Sequence, residues 1–471
     1  MLIGKTTGRA MTLPLCPADW SFQADCEAQV LALLHRGKSV LYVCPTGGGK
    51  TKLACDVIAR VRGTQRPWRV LVLVHRYELA YQWHESLRRI GILATDLAGY
   101  GLGRAVTVGM IQTVHSRMKV DAFRNDLKGI DLVVCDEFHH AEARTWKEVI
   151  GACENALVLG LTATPWSIGG APLGLAYVDT VVKAPSIPEL IERGCLTPAA
   201  VFQPRHTIST RGVSSRAGDY VLRDLQRVSD QEAITMTAIG EYAKRCPGEP
   251  CVAFCTLVEH ARNVAAAFCK HGWPAASVDG QMPREERQRA FRRLETGSLF
   301  VVTSCELISE GLDIPAVSAM ISLRPTKSVR VWRQQVGRVL RAAFRKRLAT
   351  VIDIAANARQ LGLAEDPRRW TLTEGLLPNE RLPRLCPSCR RVAHHGDRCI
   401  DCGRAMPPPA PPVVLRPVSG VPWERIKEMD YQRFTQFCHT LSKDELFEAA
   451  KIKGYKPGWA MNFIMRKERW R

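Results

Sequence analysis

The chain has 471 residues, 46% of them apolar, with 66 Lys or Arg against 46 Asp or Glu, a net charge of +20. That length allows two to four domains at roughly 100–200 residues each. No run of about 18 apolar residues occurs, so no transmembrane helix is expected. The opening MLIGKTTGRAMTLPLC lacks a long apolar stretch, so it does not read as a signal peptide. A pI of about 9.5 favours a polyanionic partner, nucleic acid first, over a merely solubilising surface. The 17 cysteines are odd in number and mostly scattered through apolar runs, as at Cys135 and Cys251. They read as reduced thiols of a cytoplasmic protein.

Residues 17–36 read as a helix with Ala28, Val30, Leu31, Leu33 and Leu34 on its apolar face and Gly37 at its end. Ser39 to Val43 then reads as a buried strand, broken by Pro45-Thr46-Gly47-Gly48-Gly49-Lys50-Thr51 and followed by a helix over 52–61. A strand, a glycine-rich loop and a helix with Lys-Thr at its mouth form a phosphate cradle. Glycines let backbone N–H groups approach phosphate oxygens with no Cβ in the way. Lys50 is placed to meet β and γ phosphates and Thr51 to ligate Mg²⁺. The strict pattern has glycine where Cys44 stands, so the match to it is partial.

Arg69 to Val74 is a continuous apolar strand, which suits a parallel sheet covered on both faces. His75-Arg76 follows at its carboxyl end. A short strand at 106–108 leads to Gln112-Thr113, and Ile130 to Cys135 ends in Asp136-Glu137-Phe138-His139-His140. Acids directly after an apolar strand, at domain-scale distance from a phosphate loop, complete nucleotide chemistry. Asp136 holds Mg²⁺ and Glu137 polarises the attacking water. His139 is placed to couple that site to a neighbouring loop. Ala156 to Leu161 is a further strand ending in Thr162-Ala163-Thr164-Pro165. Strand–helix alternation with functional loops at the strands' carboxyl ends is the doubly wound α/β plan.

Residues 186–245 are mixed and read as an inter-lobe connection. A second α/β lobe over 246–365 has strands near 250–255, 276–280 and 299–302, and a charged helix over 284–295. It ends in Gln334-Gln335-Val336-Gly337-Arg338-Val339-Leu340-Arg341. Arginines at i and i+3 share a helix face and can both stabilise charge on a γ-phosphate. The lobe has no Gly-Lys-Thr of its own, which fits one ATP site shared between two lobes.

Cys386-x-x-Cys389 and Cys399-x-x-Cys402 supply four thiolates for a tetrahedral Zn²⁺, within a ribbon over 366–406. With the shell filled, His394 and His395 read as loop residues. A proline-rich linker over 407–419 leads to a basic helical tail over 420–471. Residues 380–471 hold 18 Lys or Arg against 10 Asp or Glu. Lys453, Tyr455, Lys456 and Trp459 either grip phosphates and stack on bases or belong to the tail's own core.

Gly-Lys-Thr, Asp-Glu-Phe-His, Thr-Ala-Thr-Pro and Gln-x-x-Gly-Arg-x-x-Arg, in this order, resemble superfamily 2 helicases and translocases. The Asp-Glu-Phe-His tetrad departs from the commoner Asp-Glu-Ala-Asp and Asp-Glu-Ala-His forms. The resemblance implies two RecA-like doubly wound parallel-sheet lobes, the first over 1–185. It implies that Gln23 reads adenine and that Thr46, Gly47, Gly48, Gly49, Lys50, Thr51, Gly311 and Asp313 surround ATP and Mg²⁺. His75, Arg76, Gln112, Thr113 and Thr303 match nucleic-acid contacts. His139, Thr162, Thr164 and Gln334 match groups coupling hydrolysis to strand movement, and Arg338 and Arg341 match arginine fingers. The runs at 191–198 and 323–326 and the late cysteines look closest to RadD-like bacterial and phage DNA-repair helicases. DNA is the expected track; the rivals are an RNA helicase, the motor subunit of a restriction system and an ATP-gated nucleic-acid-binding or annealing factor, and the ribbon or tail is the expected place for a protein partner.

Overall fold

The computed structural model describes residues 18–97, 101–103, 105–167, 170, 173, 177–216, 218–305, 317–343, 346–372, 375–376, 382–394, 396–408, 423–455 and 457–469. The chain divides into two compact units, residues 1–409 and 410–471. Among the described residues no helix is long and apolar enough to cross a membrane.

The first lobe runs α1 (Phe22–His35), β1 (Val40–Val43), α2 (Lys50–Arg62), β2 (Val70–Val74), α3 (Tyr77–Arg89), β3 (Thr95–Asp96), β4 (Val106–Met110), α4 (Ile111–Arg117), α5 (Asp121–Leu127), β5 (Leu132–Cys135), α6 (Arg144–Ala152), β6 (Leu157–Thr162) and β7 (Thr180–Lys183). Its seven strands form one parallel sheet in the order β3-β4-β2-β5-β6-β1-β7. The unbroken apolar run of β2 serves two cores. Val70, Val72 and Val74 face one layer, Leu71 and Leu73 the other. This is how a parallel strand covered on both faces uses its period of two.

Helix α7 (Ile187–Glu192) leads to β8 (Ala199–Phe202), a hairpin of β9 (Ser215–Arg216) and β10 (Asp219–Tyr220), then α8 (Leu222–Ser229) and α9 (Glu232–Arg245). The second lobe continues through β11 (Cys251–Phe254), α10 (Val258–Lys270), β12 (Ala275–Ser277), α11 (Arg284–Glu295), β13 (Val301–Ser304), β14 (Ala319–Ser322), α12 (Val329–Val339), β15 (Ala349–Asp353) and α13 (Asn357–Leu361). Its parallel sheet has the order β12-β13-β11-β14-β15-β8. The stretch read as a connection therefore gives this sheet its edge strand. Ala199, Ala200 and Val201 are buried there against β15, a pairing too short to show in the sequence.

Two small hairpins follow, β16 (Trp370–Thr371) with β17 (Gly375–Leu376) and β18 (Arg384–Leu385) with β19 (Val392–Ala393). The first returns to the first lobe. The Leu376 N–H donates to Gly170 O at 2.8 Å, and Lys183 Nζ lies 4.7 Å from the Trp370 ring centre.

The second unit holds α14 (Trp423–Glu428), α15 (Tyr431–Cys438), α16 (Lys443–Ile452) and α17 (Pro457–Arg469) around its own core of Ile426, Phe434, Leu446, Ala449, Ala460 and Ile464. Ser442 and Glu445 form a capping box that starts α16.

Candidate active site between the lobes

The phosphate loop joins β1 to α2. Gly47 and Gly49 have φ of +86° and +87°, which side chains rarely adopt. A Cβ on Gly49 would lie 2.0 Å from Gln23 Nε2. Gln23 is buried and donates to the carbonyls of Gly48 at 2.8 Å and Gly49 at 3.4 Å. Lys50 Nζ donates to Cys44 O at 3.3 Å, so the ammonium lies folded onto the loop itself. Cys44 packs where the strict pattern has glycine. Its Sγ would be 2.5 Å from a Cβ on Gly48, and burial pushes its thiol up to about 11. The loop thus holds a neutral buried thiol rather than a reactive one.

Asp136, at the end of β5, is buried. Trp83 Nε1 donates to its Oδ2 at 3.0 Å and the Glu137 N–H to its Oδ1 at 3.0 Å. Glu137 has φ +51° and ψ +55°, a left-handed backbone that costs a non-glycine residue about 1–3 kcal/mol. That turn carries the carboxylate into the cleft. Glu137 Oε2 lies 3.3 Å from His139 Nδ1, and His139 Nδ1 lies 3.4 Å from Thr162 Oγ1. The Thr162 hydroxyl donates to Thr164 O and accepts from the Thr164 N–H, both at 3.1 Å. The His140 ring lies between those of His139, 4.4 Å away, and His75, 4.6 Å away, tilted to both, and Gln112 Nε2 donates to His75 O at 3.4 Å. Through His139 and His140 the acid pair is thus linked to the first lobe's Thr-Ala-Thr turn, to the loop after β2 and to the start of α4. Arg76, in the loop after β2, and Thr113, in α4, are half-buried.

From the second lobe, α12 brings Arg338 to the cavity of about 900 Å³ that Lys50, Thr51, Asp136 and Glu137 line, while Arg341, which also lines it, lies beyond the helix end and bridges to Leu196, so the two arginines do not share one helix face. The lobes approach closely at Gly337. A Cβ on Gly337 would lie 2.7 Å from Thr46 Cβ, so the glycine of Gln-x-x-Gly-Arg permits the approach. The rim is latched by Arg287 Nη2 to Glu78 Oε1 at 2.6 Å and by Arg284 stacked 3.6 Å from the Tyr81 ring centre. Gln334 is buried on the same helix. Gly311 and Asp313 lie outside the described residues. Thr303 is fully buried in β13 and its hydroxyl donates to Ala261 O at 2.6 Å. Its place in a central strand, between apolar neighbours, is what buries it.

The four cysteine sulfurs of 386, 389, 399 and 402 all lie within 4.8 Å of one another, a set that fits one tetrahedral metal ion. Two like turns build it. The N–H of Arg390 donates to Cys386 O at 3.2 Å, and that of Gly403 to Cys399 O at 2.8 Å. Both residues have left-handed φ, +68° and +70°. Arg390 tolerates it because its guanidinium is held by Gln203 O at 3.0 Å and Pro204 O at 3.1 Å. Burial raises the Cys386 thiol, but N–H donors from Cys389 and Ser388 outweigh this and bring it down to about 7. His394 is not a simple loop residue: its Nε2 lies 2.7 Å from Asp366 Oδ1.

Sequence reasoning did not find Trp83, the Glu78–Arg287 latch or the His394–Asp366 pair. None has a local signal, because each partner lies far along the chain.

Comparisons with known proteins agree with this arrangement. Residues 20–167 match the family described as "Type III restriction enzyme, res subunit", and residues 234–343 match "Helicase conserved C-terminal domain". A 51.5 kDa protein of a Lactococcus phage (isolate 7-9) is 29% identical over 331 residues, covering 69% of this chain and 68% of its own. A chain of Schizosaccharomyces pombe, named as a candidate mitochondrial ATP-dependent helicase, irc3, is 28% identical over 80% of this chain and 62% of its own. Thus the chain spans about two thirds of these relatives' lengths. Among solved structures, a fragment of an HsdR-type subunit of a type I restriction enzyme from Vibrio vulnificus shares the fold. Its TM-score is 0.57 at 20% identity, covering 73% of this chain and 66% of that one. Two parallel-sheet lobes closing on one nucleotide cavity define a two-lobed P-loop ATPase. Both matched domains and the helicase relatives support an ATP-hydrolysing, nucleic-acid-dependent helicase.

Proposed function

We propose that this chain is a DNA-dependent motor that couples ATP hydrolysis in the inter-lobe cleft to translocation along, or unwinding of, DNA in repair, recombination or phage DNA metabolism. Its nearest functional type would be the RadD-like helicases. The observation that carries the reading is the composite cavity. Lys50, Thr51, Asp136 and Glu137 come from one lobe, Arg338 and Arg341 from the other. A nucleotide held there ties the lobes together, and hydrolysis releases them, which is the cycle a two-lobed motor needs.

ATP held there would supply the transferable γ-phosphoryl group, and Mg²⁺ would supply Lewis-acid chemistry. Lys50 leaves Cys44 O to meet phosphate, and Thr51 and Asp136 are the ligands suited to Mg²⁺. Asp136 is preset by Trp83 and by the Glu137 N–H. Glu137 orients the attacking water and takes its proton. Arg338 and Arg341 stabilise charge on the γ-phosphate only when the lobes close. Gln23, whose amide donates to two loop carbonyls, is the residue that would read adenine. His139 and Thr162 link Glu137 to Thr164, while His140 links His139 to His75. A track bound at His75, Arg76, Gln112 and Thr113 is thus felt at the acid pair. Zinc at the four cysteines shapes the ribbon, and the ribbon or the tail would take a protein partner.

DNA is favoured over RNA by the restriction-enzyme match over residues 20–167, while the +20 net charge suits either polyanion. A motor subunit of a restriction system is the second reading, on the same match; a partner would have to supply the nuclease. Comparing ATPase stimulation by duplex DNA, single-stranded DNA and RNA, then strand displacement, tests the proposal. Stimulation by DNA beyond RNA supports it, and stimulation by RNA alone overturns it.

A further inference from the structure

One contact of the ribbon reaches the turn behind the helix that carries Arg338. Helix α12, which delivers Arg338, is held from behind by the turn after α13. Trp332 Nε1 donates to Gly362 O at 2.9 Å, and the next residue, Arg333, donates through Nη2 to Asp366 O. Two adjacent side chains of the helix thus end on carbonyls of one turn. Trp332 is fully buried and Asp366 nearly so. Burial lowers the Arg333 guanidinium to about 10, helped by the charge of Arg368 and opposed by Asp366 and Glu365. It therefore stays charged and must keep its acceptor.

Asp366 shapes that acceptor. Its Oδ2 accepts from the Leu363 N–H at 2.7 Å and closes the turn, while its Oδ1 lies 2.7 Å from His394 Nε2. His394 stands midway between the two cysteine pairs. Its own carbonyl is fixed by Arg384 Nη2 at 2.9 Å. The rest of the ribbon docks on the second lobe through Arg390 to Gln203 and Pro204, and through Arg245 to Cys389 O at 3.1 Å. One polar path thus runs from the four-cysteine site through His394, Asp366 and Arg333 to the helix that bears the finger.

We propose that the zinc ribbon is a brace for the arginine-finger helix, with His394 and Asp366 as positioning residues for ATP hydrolysis. Metal at the four cysteines fixes the loop that carries His394. His394 sets the Asp366 carboxylate, Asp366 sets the turn, and the turn sets Arg333 and so Arg338. Finger action depends steeply on placement, since a shift of about 1 Å can cost about 10²-fold in rate. This inference rests on the reading of Arg338 as a finger.

The test uses the full zinc-loaded chain with four variants: His394→Ala, His394→Gln, Asp366→Ala and the Ala–Ala double. It measures DNA-stimulated kcat, KM for ATP, zinc per chain and melting temperature. In His394→Ala, kcat is expected to fall about tenfold with KM changed by less than about twofold. Zinc content and melting temperature should stay as in the parent chain. His394→Gln, whose amide can donate to Asp366, should recover most of the rate. The double variant should be no slower than either single, because both cut one path. Unchanged kcat in His394→Ala overturns the brace. Multiplying effects in the double variant, or equal losses in the Ala and Gln variants together with a lowered melting temperature, overturn it too. Arg338→Ala, run in parallel, separates the two readings. If that variant turns over normally, the finger assignment fails. If it is dead while His394→Ala is normal, only the brace fails.

Discussion

Glu137 shows how single residues carry the chemistry. Its carboxylate reaches the cleft through a left-handed turn, between Asp136 and His139. Glu137→Gln keeps the shape and removes the base, so ATP should still bind while turnover stalls; a nucleotide-binding titration beside a phosphate-release assay checks it. Normal turnover would sink the role. Arg338→Ala should lower kcat by about 10³-fold or more while nucleotide affinity moves little, because a finger acts on the transition state. Asp353 makes a separate prediction about pH. It is fully buried at the end of β15, and burial raises its carboxyl to about 7 despite N–H donors from Ala358, Asn357 and Ala356. A carboxyl that keeps its proton in the fold but loses it near pH 4 when unfolded stabilises the fold fully below that range. The stabilisation is lost as pH rises through about 7. Melting temperature against pH should therefore show a falling contribution across that window. Asp353→Asn, which keeps an acceptor for Ala358, should remove it.

Helix α12 is the element on which the two lobes meet, and Gly337 is its point of closest approach. Glycine inside a helix costs about 1 kcal/mol relative to alanine, so helix propensity alone makes Gly337→Ala stabilising. The Thr46 contact argues the opposite for function, because the added Cβ would sit 2.7 Å from Thr46 Cβ. We expect a kcat reduced about tenfold or more, with no loss of melting temperature. An unchanged kcat would show that the lobes work without this approach. In the ribbon, changing Cys386 and Cys399 together to Ser should release the zinc, read by elemental analysis of chain purified without chelator. Finding no zinc in the parent chain would refute the metal site.

For the whole molecule, the two units divide the work. Every nucleotide group lies before residue 342, inside the first unit, whereas the second has its own apolar core. Within that core Trp459 stacks on Tyr455 at 4.7 Å and Phe463 at 5.3 Å, and Lys453 Nζ donates to Lys427 O at 2.8 Å. The core reading of these two residues is the one the packing supports. Phosphate contacts in the tail must then come from its exposed basic residues, such as Lys443 and Lys451. A chain ended after Pro412 should keep basal ATPase. It should bind DNA more weakly, and its log–log salt dependence should be shallower by about 0.9 for each phosphate that the tail would otherwise neutralise. An unchanged slope would make the second unit a protein-binding module.

The sequence alone determined the doubly wound lobes, the phosphate loop, the acid pair, the arginine helix and the four-cysteine site. Each is written locally: an apolar strand run into glycines or acids, or cysteines two residues apart. Helix α11 was legible to its end residues, since its charged run starts after Pro283 and stops at Thr296. What only the tertiary structure decided are pairings between distant segments. They are Trp83 on Asp136, Glu78 on Arg287, Gly337 against Thr46, His394 on Asp366, β8 as the edge of the second sheet, and the burial of Thr303. The reason is physical. Local periodicity specifies which face of an element is apolar, but which polar group meets which across a cleft depends on how the two lobes are set. No stretch of either lobe encodes that by itself.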